Sequence, residues 1–450
     1  MKTPWLFLCC FLCLGAGYAQ QRGGTPAPGG PSILSRGAGG GVGRDRGEPL
    51  KFRAFASVLG SYDTGLTSVT TDQEGNFRDD DAYGAQALIG IYGNHEARRG
   101  KTSLDYRGSY RHYSNARSYS GMDHHLSLGH THTLGRKWRA MLHQSASTYG
   151  TSQGLGGLPL NIGDFNFNVF QIANPGEEVF DGRTYAAMSG GGLRYAPTRG
   201  LSVGLSGGAF FVRRQAKAQA GMNGYRAGAD VGYRIGRRSQ VGVEYGHVSF
   251  QYLAQFGRAD IDSLGAQFST QLGRNWGFGV GVGGFRSEME RLIRVRPDPL
   301  VARLLGARFF MEAFHGISYG TQLSAGFTGH YRTSGISAHY RRGVVPGNGI
   351  YLASTADQVN AGYSYSGIRG WGLGANANYA RYHTLLQQTR GFESISGGFG
   401  ASRHLTGMVH LSTRIQFGHV RATGTGYVRD RMSLSAGLSF SPGELPLSLW

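Results

Sequence analysis

The chain has 450 residues, among them 76 glycines and three cysteines, and a formal net charge of +19. No segment after residue 20 holds eighteen apolar residues in succession, which excludes membrane-spanning helices, and the glycines are neither collagen-like nor confined to linkers. Such a charge in a cytosolic protein points to nucleic acid; the export signal described next removes that partner and sends the charge to a lumen, loops, turns or anionic headgroups.

Met1-Lys2, the apolar stretch Trp5–Leu14 and the small residues Gly15-Ala16-Gly17-Tyr18-Ala19 form a secretory signal peptide over 1–19, with cleavage after Ala19. Cys9, Cys10 and Cys13 all lie within it and lack a lipoprotein context. The mature chain therefore has no thiol, disulfide or cysteine-ligated metal. Residues 20–50, with Gly23-Gly24-Thr25-Pro26-Ala27-Pro28-Gly29-Gly30-Pro31, cannot bury a core and read as a flexible periplasmic leader.

From Lys51 the pattern changes to segments that alternate apolar with small or polar residues, as in Leu201-Ser202-Val203-Gly204-Leu205. Period-two alternation gives each segment one apolar face. The segments fall at 51–64, 82–96, 101–113, 121–133, 137–149, 183–195, 200–214, 224–235 and 239–252. They continue at 260–272, 276–287, 305–317, 321–332, 354–366, 370–384, 391–403, 407–420 and 430–440. That is eighteen strands in an all-β, closed antiparallel transmembrane β-barrel over 51–440, with sixteen as the alternative because several are weakly patterned. Residues 441–450 are a C-terminal tail.

The connections support the same architecture. Those after even-numbered strands are tiny, such as Leu134-Gly135-Arg136 and Gly273-Arg274-Asn275, whereas 65–81, 150–182, 288–304 and 333–353 are long. Short turns on the periplasmic side and long loops outside are the habit of outer-membrane barrels. Trp138, Trp276 and Trp371 each open an outward-running strand after a short turn, as an interfacial aromatic girdle requires.

On these features the chain resembles the bacterial outer-membrane porin-like barrels as an architectural class, over about residues 51–440. The last strand resembles the assembly signal of such barrels, with alternate apolar residues around Gly437 ending at Phe440, but the chain continues through Pro442 and Pro446 to Trp450. The resemblance implies location in the bacterial outer membrane. It also implies contact with its lipids and lipopolysaccharide and with the barrel-assembly machinery, with homo-oligomerisation left open and no nucleic acid.

Assigning the bulky apolar parity to lipid leaves a polar, water-filled lumen. Arg111, Arg226, Arg308, Arg332 and Arg431 then fall near its external mouth and Arg107 and Arg414 nearer mid-membrane, with Asp230 and Glu312 on the same parity. Two readings stand side by side: an anion-favouring lining, since guanidinium stays charged and grips carboxylate or phosphate, or wall salt bridges with Asp105, Asp230, Glu244 and Glu312. The connection 150–182 carries Asp164, Glu177, Glu178 and Asp181 and a Phe165–Phe170 apolar run. It resembles the inward-folding third loop of general porins in position, length and charge, and an external flap or subunit-contact loop is its alternative.

Other patterns carry little. Gly279-Val280-Gly281-Val282-Gly283-Gly284 matches the dinucleotide fingerprint by letter but lies inside a strand. His130 and His132 share the lipid parity, which is no place for a metal site. His143 and Ser145 face the lumen without an orienting partner, unlike a lipase triad. The reading is a channel for passive diffusion of small hydrophilic, preferentially anionic solutes, narrowed by the third loop, and not an enzyme or a cofactor protein. An export barrel for an acidic polysaccharide and a non-conducting structural or adhesion barrel are the alternatives.

Overall fold

The structure is a computed structural model and describes residues 53–71, 77–97, 99–116, 119–150, 182–216, 219–253, 257–295, 310–346, 353–385, 391–423 and 427–441. The segments read as signal peptide and leader, most of the third loop and nearly all of the tail lie outside these residues.

The chain forms β1 (Arg53–Thr71), β2 (Phe77–Ala97), β3 (Gly100–Tyr113), β4 (Gly121–Thr133), β5 (Trp138–Tyr149) and β6 (Thr184–Tyr195). It goes on through β7 (Leu201–Arg214), β8 (Gly221–Arg234), β9 (Ser239–Leu253), β10 (Gly257–Leu272), β11 (Trp276–Val295) and β12 (Phe310–Tyr331). It ends with β13 (Ser334–Pro346), β14 (Ala353–Tyr365), β15 (Trp371–Thr384), β16 (Gly391–His404), β17 (Val409–Thr423) and β18 (Val428–Phe440). Each strand pairs antiparallel with its sequence neighbours, and β1 pairs with both β2 and β18, so the sheet closes on itself. Eighteen strands spaced ~4.8 Å apart and tilted ~40° close on a backbone radius of about 18 Å.

The count of eighteen agrees with the sequence reading, but one stretch of the chain is organised differently. The segments expected at 305–317 and 321–332 are a single strand, β12, and the stretch expected as the external loop 333–353 contains β13. Ser318-Tyr319-Gly320 reads as a turn by composition; here it continues a ladder with β11, in which Tyr319 faces out and Gly320 lies under the Phe285 ring. A Cβ at Gly320 would collide with that ring, so the glycine serves close packing and not a turn. The true turn is Arg332-Thr333, two residues long. Arg332 therefore sits at the periplasmic end and not at the external mouth.

Apolar side chains face outward along the lower two thirds of the wall: Leu205, Val231, Val243, Leu264, Val282, Leu411, Leu434 and Leu438 are all exposed. Trp138, Trp276 and Trp371 each begin an outward-running strand at its periplasmic end, as the girdle requires. Higher up, the pattern turns over. On β10, Leu264 points out at 59% exposure, yet three residues earlier in the chain Ile261 points in at 0%. Beyond that point the outer face carries Asp262, Asp260 and Arg258. β9 changes in the same way, from outward Val243 and Tyr245 to outward His247 and inward Val248 and Phe250, and β11 from outward Val282 to outward Arg286 and Glu288 and inward Phe285 and Met289.

A tilted strand gains about 2.6 Å of height per residue, so the ~25 Å apolar band of a transmembrane barrel takes about ten residues. From Trp276 to Arg286 is that distance. On β9, β10 and β11 the wall below the reversal is apolar outside and polar inside, as lipid demands, and above it is polar outside and apolar inside, as water demands; β12 keeps Tyr319 and Ile317 outward above that level. The inward apolar groups form three clusters near the external rim: Leu66, Ala82 and Tyr113; Phe210, Met222, Val248, Phe250, Ile261, Phe285 and Met289; and Val345, Ala356, Tyr382 and Phe392. The expectation of a lumen polar throughout is corrected here, because the external third is lined by packed apolar side chains. The architecture is that of a transmembrane barrel of the outer-membrane type.

Leu205→Arg puts a guanidinium into the lipid-facing band and should lower folding stability in lipid by ~2–4 kcal/mol, whereas Ser206→Arg, on the inner face, should cost far less. Urea titrations of both variants in vesicles measure the difference. Equal losses would reverse the assigned faces of β7.

Candidate functional site

The inner face at mid-height is the part of the molecule with chemistry to offer. Alternation puts Ser, Gly, Asn and Gln there, with Asn376 and Asn378 on β15, Gln416 on β17 and Gln267 on β10. Short side chains keep the bore clear, and the arginines stand out against them.

Arg107 lies at the middle of β3 and is held by its strand neighbour two residues away: Nε donates to Asp105 Oδ1 at 2.9 Å and Nη2 to Asp105 Oδ2 at 2.8 Å. Such a bidentate fork fixes the guanidinium against the wall. Arg414 on β17 lies within electrostatic reach of Arg107, with three strands between theirs, so the two cations share one side of the lumen. Arg226 is near the external end of β8, buried on the inner face. Asp230, two repeats of the alternation lower, accepts a hydrogen bond from Arg194 Nη2 of β6 at 2.7 Å and stands directly opposite Glu244 of β9.

Arg111 and Arg431 belong to a different arrangement. Arg431 of β18 is 3.6 Å from Asp63 of β1, and Tyr113 OH donates to the same carboxylate at 2.6 Å. Arg111 Nη1 donates to Tyr113 OH at 3.2 Å, and Arg429 Nε donates to the Gly65 carbonyl at 2.8 Å. These buried groups tie β1, β3 and β18 together where the first and last strands close the barrel. Wall reinforcement describes them, whereas Arg107, as buried as they are, and Arg414 lie lower on the inner face, at mid-membrane height.

Glu312 sits on the outer part of β12, exposed, near the tip of the long β11–β12 hairpin and away from the mid-membrane arginines. Arg332 is in the periplasmic turn, exposed. Arg308, Asp164, Glu177, Glu178 and Asp181 lie outside the described residues. The roots of the third loop are described, however. Gly150 N–H donates to Asp123 Oδ1 at 2.8 Å, and Arg183 is 3.9 Å from the same carboxylate while donating to the Met122 carbonyl. Asp123 is buried on the inner face of β4, so both ends of the loop are fastened to a lumenal carboxylate.

Sequence reasoning missed Arg194, Arg341 and Asp63 as inner-face groups. Arg194 was findable, since it shares the parity of Gly190 and Gly192 against outward Leu193 and Tyr195. Arg341 was not, because its strand was read as loop. Asp63 needed knowledge of which strands meet at closure.

No family model matches the chain, and no curated protein does. Among solved structures the chain is similar to OccK2 (OpdF) of Pseudomonas aeruginosa in complex with glucuronate, at 14% identity over 88% of this chain and 100% of that one, with a TM-score of 0.44. It is also similar to a BenF-like porin from Pseudomonas fluorescens Pf-5, at 13% identity over 87% and 98% with a TM-score of 0.42. OccAB4 of Acinetobacter baumannii follows at 9% identity over 88% and 100%, with a TM-score of 0.39. Similarity this distant says nothing about cargo.

Removing the closure carboxylate should be costly. Asp63→Ala removes the carboxylate that pairs with the buried Arg431 and accepts from the buried Tyr113 hydroxyl, which should cost about 3–5 kcal/mol and lower the urea midpoint of the assembled barrel. An unchanged midpoint would show that Arg431 and Tyr113 do not depend on Asp63.

Proposed function

We propose that the chain is an outer-membrane channel for passive diffusion of small hydrophilic solutes, with a preference for anions. The observation that carries this is the pair Arg107 and Arg414, cations within electrostatic reach of one another on the inner face at mid-membrane height. Guanidinium stays charged at any physiological pH and offers paired donors to carboxylate or phosphate. Rings of such groups set the sign of a pore's selectivity. Asp105 offsets part of the field at Arg107, and Asp230 and Glu244 offset more on the far wall, so the preference is mild.

The third loop sets the exclusion size in this reading. Support comes from its roots, since Gly150 and Arg183 both engage the inward-facing Asp123 and so start the loop on the lumenal side of the wall. Deleting residues 155–175 should raise single-channel conductance without preventing assembly, because the ladder of the barrel does not include them. Unchanged conductance would put the loop outside the bore.

Sign is tested by the reversal potential across a salt gradient in planar bilayers. The unmodified protein should favour chloride over potassium, more at low salt than at high, because mobile ions screen fixed charge beyond ~10 Å at 0.1 M. Arg107→Glu combined with Arg414→Glu should move the potential toward cation preference. Cation selectivity indifferent to both changes would defeat the anion reading.

A further inference from the structure

The wall has one place where its backbone ladder stops early. β12 pairs with β11 along its whole length, from Gly329↔Trp276 up to Phe310↔Val295. On its other edge it pairs with β13 only from Tyr331↔Ser334 to Leu323↔Arg342. β13 nevertheless continues, paired with β14, to Pro346↔Ala353. Among the described residues, the β13-side edge of β12 above Leu323 therefore has no strand partner.

The reason is that the top of β13 leaves the wall. Val344 shares the parity of Ile336 and Arg342, which face outward, yet it is fully buried and belongs to the same apolar cluster as Phe285 and Met289 from the inner face of β11. β12 presents only Gly316, Ser318 and Gly320 on its inner face at this height, and the Phe285 ring spreads over Gly320. The end of β13 thus laps inside the β11–β12 hairpin. This seam is closed by apolar side chains, not by main-chain hydrogen bonds, which makes it the cheapest place to part the wall.

Its height and surroundings say what would use it. The ladder ends at Leu323, which pairs on its other side with Val282 of β11, the last outward apolar residue below Arg286. That is four residues, or about 10 Å, inside the outer boundary of the apolar band. The lumenal side of the same point is a recess lined by Glu244, Gln322, Ser324, Arg341 and Gly343. Gln322 Nε2 is buried there with no hydrogen-bond partner. A polar recess inside, an apolar seal between and lipid outside describe the path of a molecule with a polar head and an apolar tail.

We propose that the β12–β13 seam is a lateral portal between the lumen and the outer leaflet for single-chain amphiphiles with a carboxylate head. The head would rest on Gln322 and Arg341, and the chain would take the place of Val344 against Phe285 and Met289. This route is separate from axial diffusion through the bore and does not depend on its ion preference.

The test closes the seam by a disulfide at the next rung of the ladder. Gln322→Cys with Gly343→Cys is suited to it because Cys9, Cys10 and Cys13 are the only native cysteines and all precede residue 20. In cells carrying the oxidised full-length variant, uptake of radiolabelled dodecanoate should fall to the rate of cells lacking the protein and recover on reduction to the rate of a Gln322→Cys single variant, which lacks the same amide, while single-channel conductance stays the same in both forms. A second variant, Val344→Ser, weakens the seal and should raise dodecanoate uptake with conductance unchanged. The portal is refuted if the cross-linked protein takes up dodecanoate as fast as the reduced one, or if Val344→Ser leaves uptake unaltered. Loss of anion preference with the dodecanoate results intact would overturn the channel's sign and leave the portal standing.

Discussion

A strand inside a bilayer has no water to satisfy its N–H and C=O groups, so they must find a neighbouring strand; among the described residues, the β13-side edge of β12 above Leu323 departs from this rule. Closure of the sheet is the only all-β answer, and it leaves the side chains to satisfy two solvents at once. The period of two does this by sending alternate residues to lipid and to lumen. At the outer edge of the membrane the outside solvent becomes water and the assignment must reverse. The reversal at Asp262–Leu264 on β10, at Tyr245–Val248 on β9 and at Val282–Arg286 on β11 is that constraint written into the chain. Everything else in the molecule is arranged around it.

The reversal explains why the external third holds the buried apolar clusters and the middle third holds the charge. Above the membrane, Phe250 and Ile261 do the ordinary work of a hydrophobic core, sheltered from water on the inner side of the wall. At membrane depth the inner face is the only face where a charge avoids lipid, and Arg107 and Arg414 are found there. The buried Asp63 group is the exception that needs its own account. It lies at the junction of first and last strands, where register is set by no turn, and a hydrogen-bonded carboxylate between β1, β3 and β18 specifies that junction.

Most of the barrel was legible in the sequence because its signals are local. Alternation, the short turns and the three tryptophans depend only on neighbours along the chain, and the observed strands β3 to β9 start and end within a few residues of where the pattern puts them. The exchange of β12 and β13 for two other segments is just as physical. Glycine and serine at Gly316, Ser318 and Gly320 carry turn chemistry in the sequence, but in the barrel they make room for Phe285, a residue of another strand. β13 was invisible because its top leaves the wall, so that Val344, on the outward parity, is buried against the inner face of β11. The site divides in the same way. Inner parity of Arg107 and Arg414 follows from alternation, whereas the pairing of Asp230 with Arg194 and of Asp63 with Arg431 follows from which strands meet.

The central claim is that one wall serves lipid and water in turn, with a wet lumen behind the lipid-facing band. Single cysteines along β10, in a protein with no cysteine after residue 13, test it most directly. With a water-soluble thiol reagent added from outside, cysteines at Asp260, Asp262 and Gln267 should label, whereas those at Leu264 and Phe268 should react only with a lipid-soluble reagent and that at Ile261 with neither. Labelling of Leu264 and Phe268 by the water-soluble reagent, or an alternation that runs through residues 260–264 without reversing, would contradict the account.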